Sequence, residues 1–264
     1  MQKPPHFAKI SNGVFIMPEK MHPVELAESL VEWIRRRVVE AGAVGVVYGL
    51  SGGLDSAVVG ALCRRAFPAT SLALVMPCHS TELDLQDARL IADALGLRMK
   101  VIVLDQVFER LLGLLEPVAA ECSEERALLA RANIKPRLRM IVLYYYASIY
   151  NYLVVGSSNK SELAVGYFTK YGDGGSDLLP LGNLAKCQVR ELAAYLNVPE
   201  RILAKPPSAG LWENQTDEEE MGFSYEVLDS YVLGGEVPPL LKEKIEGMKR
   251  RSEHKRRMPP IPDF

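Results

Sequence analysis

The chain has 264 residues, with 31 Lys and Arg against 33 Asp and Glu and a net charge of −2. That balance argues against a general nucleic-acid binder, which would be clearly basic, and no apolar run approaches the roughly 18 residues of a membrane span. A composition of 48 % hydrophobic and 24 % charged residues is that of a soluble globular protein able to bury a sizeable core.

The N-terminal arm, residues 1–22, begins Met1-Gln2-Lys3-Pro4-Pro5-His6 and lacks the apolar core of a signal peptide. Cys63, Cys78, Cys122 and Cys187 show neither C-x-x-C nor metal spacing, so reduced thiols in a cytoplasmic protein are expected and a structural zinc is not. An amphipathic helix is predicted over 23–41, with Leu26, Leu30, Trp33, Ile34 and Val38 on its inner face. Strands and helices then alternate: strand 44–50, helix 55–67, strand 71–77, helix 82–95, strand 99–104 and a helical stretch over 105–131. A long helix over 133–151 carries Ile134, Leu138, Ile141, Val142, Tyr145 and Ile149 on one stripe, and strand 152–156 follows it. Such alternation predicts an α/β fold, a parallel sheet with helices on both faces. Beyond residue 166 the chain becomes irregular and Gly-rich to about 183. Helices are then expected over 186–196, 224–233 and 238–251 as a C-terminal helical extension. The stretch 205–220 has the texture of a mobile loop ending in an acid-rich helix start, expected to close over a bound nucleotide.

The most informative segment is Ser51-Gly52-Gly53-Leu54-Asp55-Ser56, which follows Gly49-Leu50 at the end of the first strand and opens the next helix. A Gly- and Ser-rich loop at that junction aims backbone N–H groups and a helix dipole at one spot, a ready anion site. It lacks the Lys of a Walker A loop and the spacing of a dinucleotide fingerprint. A plain reading is a tight turn whose Asp55 and Ser56 favour a helix start. The residues S-G-G-x-D-S instead resemble the loop of the ATP pyrophosphatases, which hold pyrophosphate as ATP is cleaved between its α- and β-phosphates.

Four later segments make the resemblance specific. Asn133-Ile134-Lys135-Pro136-Arg137, Tyr167 to Gly175 (Y-F-T-K-Y-G-D-G-G), Asp177-Leu178-Leu179-Pro180-Leu181 and Glu253-His254-Lys255-Arg256 resemble, in order, the NAD synthetase family. The likeness runs from about residue 25 to 260 and implies a three-layer, doubly wound sheet of the adenine nucleotide alpha-hydrolase type. It implies an ammonia-dependent ligase with ATP as co-substrate. The carboxylate of nicotinic acid adenine dinucleotide (deamido-NAD) attacks the α-phosphorus, an adenylate forms, pyrophosphate leaves, and ammonia then displaces AMP. Converting a carboxylate oxygen to AMP is what makes its expulsion easy.

The resemblance also implies roles. Gly49, Leu50, Ser51, Gly52, Gly53, Leu54, Asp55, Ser56, Ser157, Lys186 and Ser208 map to ATP, with Ser157 and Ser208 standing where Thr is common. Asp55 and Glu162 map to Mg²⁺, a hard cation suited to one or two carboxylates plus phosphates. Asn159 and Glu162 also have capping-box spacing, a purely structural alternative for Glu162. Lys186 opens a helix, where a cation is unfavourable to the dipole, so a phosphate contact is expected of it; Asp55 and Lys186 are the catalytic pair. Arg137, Phe168, Lys170, Asp173, Asp177, His254 and Lys255 map to deamido-NAD, whose phosphates and carboxylate suit Arg and Lys. Phe168 can equally be core packing. Leu54, Pro136 and Ser158-Asn159 depart from the family's usual residues, which puts the contacts to the adenine base in doubt.

About 40 residues precede the first strand, so residues 1–264 are expected to form one synthetase domain without a glutaminase domain, using free ammonia. The family implies a homodimer, here expected to pack through helix 133–151. Another ATP-pyrophosphatase enzyme, or a non-catalytic nucleotide sensor, would share residues 51–56. Neither accounts for 167–181 together with 253–256, and a sensor would not need both Asp55 and Glu162.

Overall fold

The computed structural model describes residues 10–11, 14–15, 21–119, 122–208 and 216–264. Of the N-terminal arm, the described part includes two short antiparallel strands, β1 (Ile10–Ser11) and β2 (Val14–Phe15). Helix α1 (Pro23–Glu40) buries Leu26, Ala27, Val31, Ile34 and Val38, while Leu30 and Trp33 are partly buried at its flank.

The central sheet has four parallel strands, β3 (Gly45–Gly49), β4 (Ser71–Val75), β5 (Met99–Val101) and β6 (Tyr152–Val155), in the order β5-β4-β3-β6. Alternate residues of its strands feed two cores. Val46, Tyr48, Ala73, Val75 and Val155 pack with α1, α2 (Leu54–Ala66), α3 (Glu82–Leu95) and α8 (Lys186–Tyr195). Val47, Leu72, Leu74 and Val154 pack with α4 (Asp105–Ala119) and α6 (Ile134–Tyr150). Burial on both faces explains why these strands read as continuous apolar runs. This is the expected three-layer, doubly wound α/β architecture.

A third core holds the C-terminal extension. Val165 of α7 (Lys160–Val165), Met221 of α10 (Asp217–Met221), Tyr225 and Leu228 of α11 (Tyr225–Val232) and Ile245 of α12 (Pro239–Arg251) are buried there with Phe223. Full burial of a side chain such as Leu228 or Ile245 contributes about 1.5–3 kcal/mol relative to exposure. Short helices α9 (Glu200–Leu203) and α13 (Glu253–Arg256) complete the set.

Two expectations are corrected. The single helical stretch over 105–131 is two helices, because the Ser123 hydroxyl accepts the Arg126 N–H and so starts α5 (Glu124–Ala132) afresh. The stripe on α6 is divided: Leu138 is buried and Val142 packs on the sheet side, whereas Ile141, Tyr145 and Ile149 are more than half exposed.

Candidate active site

The strand order reverses at β3, whose neighbours are β4 on one side and β6 on the other. Ligands of open α/β sheets bind outside the carboxyl strand ends at such a point. The loop after β3 carries residues 50–53, and the loop after β6 carries 156–159. Gly52 has φ +84°, and a Cβ there would lie 2.6 Å from the Asp84 carbonyl oxygen, so only glycine lets the loop pass so close to α3. Within the loop the hydroxyls accept and donate local hydrogen bonds. The Ser51 N–H donates to Ser56 Oγ (3.2 Å), the Gly53 N–H to Ser51 Oγ (3.2 Å), and the Ser56 hydroxyl to the Gly53 carbonyl (2.9 Å). The loop is thereby shaped around its own amide and hydroxyl groups at the first turn of α2.

Lys186, the first residue of α8, is buried and donates directly to Asp55 Oδ2, with Glu162 Oε1 3.5 Å from the same ammonium. Burial alone would push this ammonium down; Asp55 and Glu162 more than reverse that and hold it above its ordinary value. Burial, then the Asp55 charge, pushes the Glu162 carboxyl up to about 8. The capping box is real: Asn159 Oδ1 accepts the Glu162 N–H (3.0 Å) and Glu162 Oε2 accepts the Asn159 N–H (3.1 Å). It does not compete with a site role, since it occupies one oxygen and leaves Oε1 toward Lys186. The Asn159 side-chain amide donates to Asp55 Oδ1 at 3.1 Å and so positions that carboxylate.

Three further groups belong to this cluster and were not singled out from sequence as site residues. The Tyr225 hydroxyl donates to Asp217 Oδ2 (3.0 Å) and lies 3.3 Å from Glu162 Oε1, and Lys186 Nζ sits 5.0 Å above its ring. The Tyr167 hydroxyl donates to Asp217 Oδ1 (3.1 Å) and Glu220 Oε2 (2.7 Å). Asp217 is 5 % exposed although it opens an acidic run, Asp217-Glu218-Glu219-Glu220, which as sequence reads as a solvated helix start. Nothing in the run itself distinguishes its first member from the rest.

The residues expected at the acid substrate gather around the 166–177 loop. Lys170 Nζ donates to the His254 carbonyl (2.6 Å), and Arg137 Nε to the Lys170 carbonyl (3.3 Å). Lys255 Nζ donates to the carbonyls of Gly166 and Phe168, both at 2.8 Å, and lies 5.4 Å above the Phe168 ring. Gly166 has φ +70° and faces Ser252, where a Cβ would come within 2.2 Å, so α12 and α13 dock against the end of α7. Asp173 Oδ1 accepts the Thr169 N–H (2.9 Å), and the Thr169 hydroxyl donates to Asn133 Oδ1 (2.7 Å). Asp177 lies apart from this group: Oδ2 accepts the Val154 N–H (2.7 Å) and Oδ1 the Tyr144 hydroxyl (2.9 Å), tying the loop to β6.

Ser157 follows β6 and is half-buried, whereas Ser208 is exposed. The expected nucleotide-covering stretch 205–220 falls partly outside the described residues. Its described ends meet where the Asp217 N–H donates to the Pro207 carbonyl (3.2 Å), and Lys205 Nζ reaches Asp84 Oδ1 (2.9 Å) and Asp87 Oδ2 (2.8 Å) on α3. Among the described residues no group of three or more His, Cys, Asp or Glu side chains forms a metal cage. No described helix is long and apolar enough to cross a membrane.

A family model described as NAD synthase matches residues 26–259. The NH(3)-dependent NAD(+) synthetase of Carboxydothermus hydrogenoformans is 52 % identical over 238 residues, covering 90 % of this chain and 97 % of that protein. Among solved structures, NMN synthetase from Francisella tularensis superposes with a TM-score of 0.87 at 39 % identity, covering 93 % of this chain and all of that one. NH3-dependent NAD synthetase from Campylobacter jejuni gives a TM-score of 0.74 at 33 % identity, covering 92 % and 100 %.

Proposed function

The chain belongs to the NAD synthase family, and on that premise we propose that it is a ligase converting deamido-NAD to NAD with ATP and free ammonia. The observation that carries this reading is the meeting of Asp55, Glu162 and Lys186 beside the 51–56 loop at a helix N-terminus. The amides of Gly52 and Gly53 and the hydroxyls of Ser51 and Ser56 hold the departing pyrophosphate, with the α2 dipole behind them. Lys186 supplies a fixed positive charge where negative charge develops on the leaving group. Gly49, Leu50, Leu54, Ser157 and Ser208 line the nucleotide side.

Asp55 and Glu162 would hold Mg²⁺. Two carboxylates converge on one ammonium, and burial with the Asp55 charge pushes Glu162 up to about 8, so ionising both carboxylates together is unfavourable unless a second cation joins Lys186. Two hard-oxygen donors without an all-protein cage fit an ion that takes its other ligands from phosphates and water. When bound, that ion would supply charge stabilisation to the reacting α-phosphate and the departing pyrophosphate.

Arg137, Lys170, His254 and Lys255 form the cationic side of the acid pocket, with Phe168 beneath it. Asp173 shapes the 166–177 loop as well as offering an acceptor to ribose hydroxyls, whereas Asp177 serves the site by tying that loop to β6. The exposed α6 face, with Ile141, Tyr145 and Ile149, supports a homodimer through this helix. We read residues 1–264 as one domain working in the cytoplasm, with neither nucleic acid nor membrane as a partner.

The likeness to NMN synthetase favours a second reading, in which the acid is the mononucleotide rather than the dinucleotide. Pyrophosphate release separates these readings. Deamido-NAD, nicotinic acid mononucleotide, xanthosine monophosphate and aspartate are each supplied with ATP and Mg²⁺. Deamido-NAD is expected to give the highest kcat/KM, with amide product only when ammonia is present. A preference for the mononucleotide would establish the second reading, and turnover with xanthosine monophosphate or aspartate alone would overturn both.

A further inference from the structure

We propose that Asp229, on α11, is a positioning residue that sets the Lys186 ammonium and the Glu162 carboxylate relative to each other, an inference resting on the reading of the site given above. Asp229 is 6 % exposed. Its Oδ1 accepts the Ser161 hydroxyl (2.5 Å) and the Lys186 N–H (3.0 Å), and its Oδ2 accepts the Cys187 N–H (2.7 Å). One carboxylate therefore holds the residue before Glu162 on α7 and the first two residues of α8.

Helix α8 has no cap of its own for these amides. Its N-cap is Ala185, which has no side-chain oxygen, and Gln188 Oε1 reaches back only to the Ala185 N–H (2.9 Å). The first amides of any helix lack intrahelical acceptors, and a lysine at the first position adds a cation to the positive end of the dipole. Asp229 answers both demands with a buried anion from 43 residues downstream. One helical turn earlier on α11, Tyr225 lies 3.3 Å from Glu162 Oε1, so the same helix reaches both members of the pair. A lysine side chain is long and flexible, and its ammonium can be placed tightly only if its backbone is held. Displacing a reacting or stabilising group by about 1 Å costs on the order of a hundredfold in rate.

The test compares wild-type protein with Asp229→Asn, Ser161→Ala and, as a stability control with no polar link to the site, Ile34→Val in α1. Wild-type pyrophosphate release is measured first; its absence would overturn the functional reading and this proposal with it, whereas every later outcome bears on Asp229 alone. With active wild type, Asp229→Asn is expected to lower kcat about 10–100-fold and to raise the half-saturating Mg²⁺ concentration. The KM for the acid is expected to stay within about twofold, at a temperature well below the variant's melting point. Ile34→Val loses stability and keeps kcat. A folded Asp229→Asn protein with wild-type kcat and Mg²⁺ dependence overturns the proposal. Should that variant not fold, Ser161→Ala decides, because it frees α7 from Asp229 and, though it removes the longer of two acceptors of the Lys186 N–H (3.3 Å), leaves both Asp229 bonds to α8 in place. A raised Mg²⁺ requirement supports the proposal, and an unchanged one overturns it.

Discussion

Lys186 Nζ donates to Asp55 Oδ2 across 131 positions of sequence, joining the first residue of α8 to the first turn of α2. The two are otherwise held by different partners, Asp55 by the Asn159 side-chain amide at 3.1 Å and Lys186 by the Asp229 carboxylate, which accepts its N–H at 3.0 Å. Asp55→Asn keeps the side-chain volume and removes the charge that Lys186 and a divalent cation both need. Turnover is expected to fall at least about 100-fold with the circular dichroism spectrum unchanged. Wild-type pyrophosphate release by the variant would remove Asp55 from the metal site.

Glu162 is the costly member of the cluster, since burial and Asp55 together push its carboxyl up to about 8. Glu162→Gln keeps an oxygen for the Asn159 N–H and relieves the buried like charge. In Mg²⁺-free buffer this variant is expected to melt higher than wild type, by about 2–4 °C for each kcal/mol relieved. Its activity at saturating Mg²⁺ is expected to be lower. A metal-free melting temperature below wild type would mean that the carboxylate is net stabilising where it stands.

Tyr225 sits between two carboxylates, and burial, reinforced by Glu162 and Asp217, pushes its phenol far up, so it stays a donor throughout the working range. Tyr225→Phe leaves Asp217 with the Tyr167 hydroxyl but takes a donor from a buried pair. A loss of about 1–3 kcal/mol is expected in denaturant unfolding. Tyr167→Phe removes the donor shared by Asp217 and Glu220. The double variant is expected to lose a different amount from the sum of the two, since both hydroxyls serve one carboxylate.

Lys205 joins Asp84 and Asp87 beside the Gly52 turn. Burial works against its charge, yet Asp87 and Asp84 hold the ammonium above its ordinary value. Lys205→Met leaves Asp87, whose side chain is 2 % exposed, with Arg201 as its remaining ion pair. A destabilisation of about 1–3 kcal/mol is expected by thermal melting, together with a raised KM for ATP. An unchanged KM would separate the Lys205 anchor from nucleotide binding.

Ile149 and Tyr145 stand out from α6 into solvent. Ile149→Glu places a charge on that apolar face without touching the sheet side. Sedimentation is expected to show a dimer for wild type and a monomer for the variant at micromolar concentration. A wild-type monomer would reject the two-fold contact.

Local pattern was sufficient for the parallel α/β sheet, for the Gly-rich turn at Ser51–Ser56 between β3 and α2 and, through residues 167–181 and 253–256, for the family. Period-two and period-3.6 repeats, Gly at a strand–helix junction and a contiguous motif are all properties of neighbours in the chain. The end of α4 escaped that reading because apolar spacing runs through 105–131, and only the Ser123 cap marks the new start. The division of the α6 stripe escaped it too, since apolar residues on more than one face do not say which of them turn to the sheet and which, like Ile141, Tyr145 and Ile149, turn outward.

Tertiary structure decided what the site is made of. The order β5-β4-β3-β6 sets the loop after β6 against the loop after β3, bringing Glu162 and Asn159 to Asp55. The packing of α11 on α7 and α8 turns Tyr225 and Asp229 inward and buries Asp217 out of an acidic run. Periodicity records which face of an element avoids water. Which polar group meets which is set by crossover topology and by the need of each buried charge for a partner, and those partners lie far away in the chain.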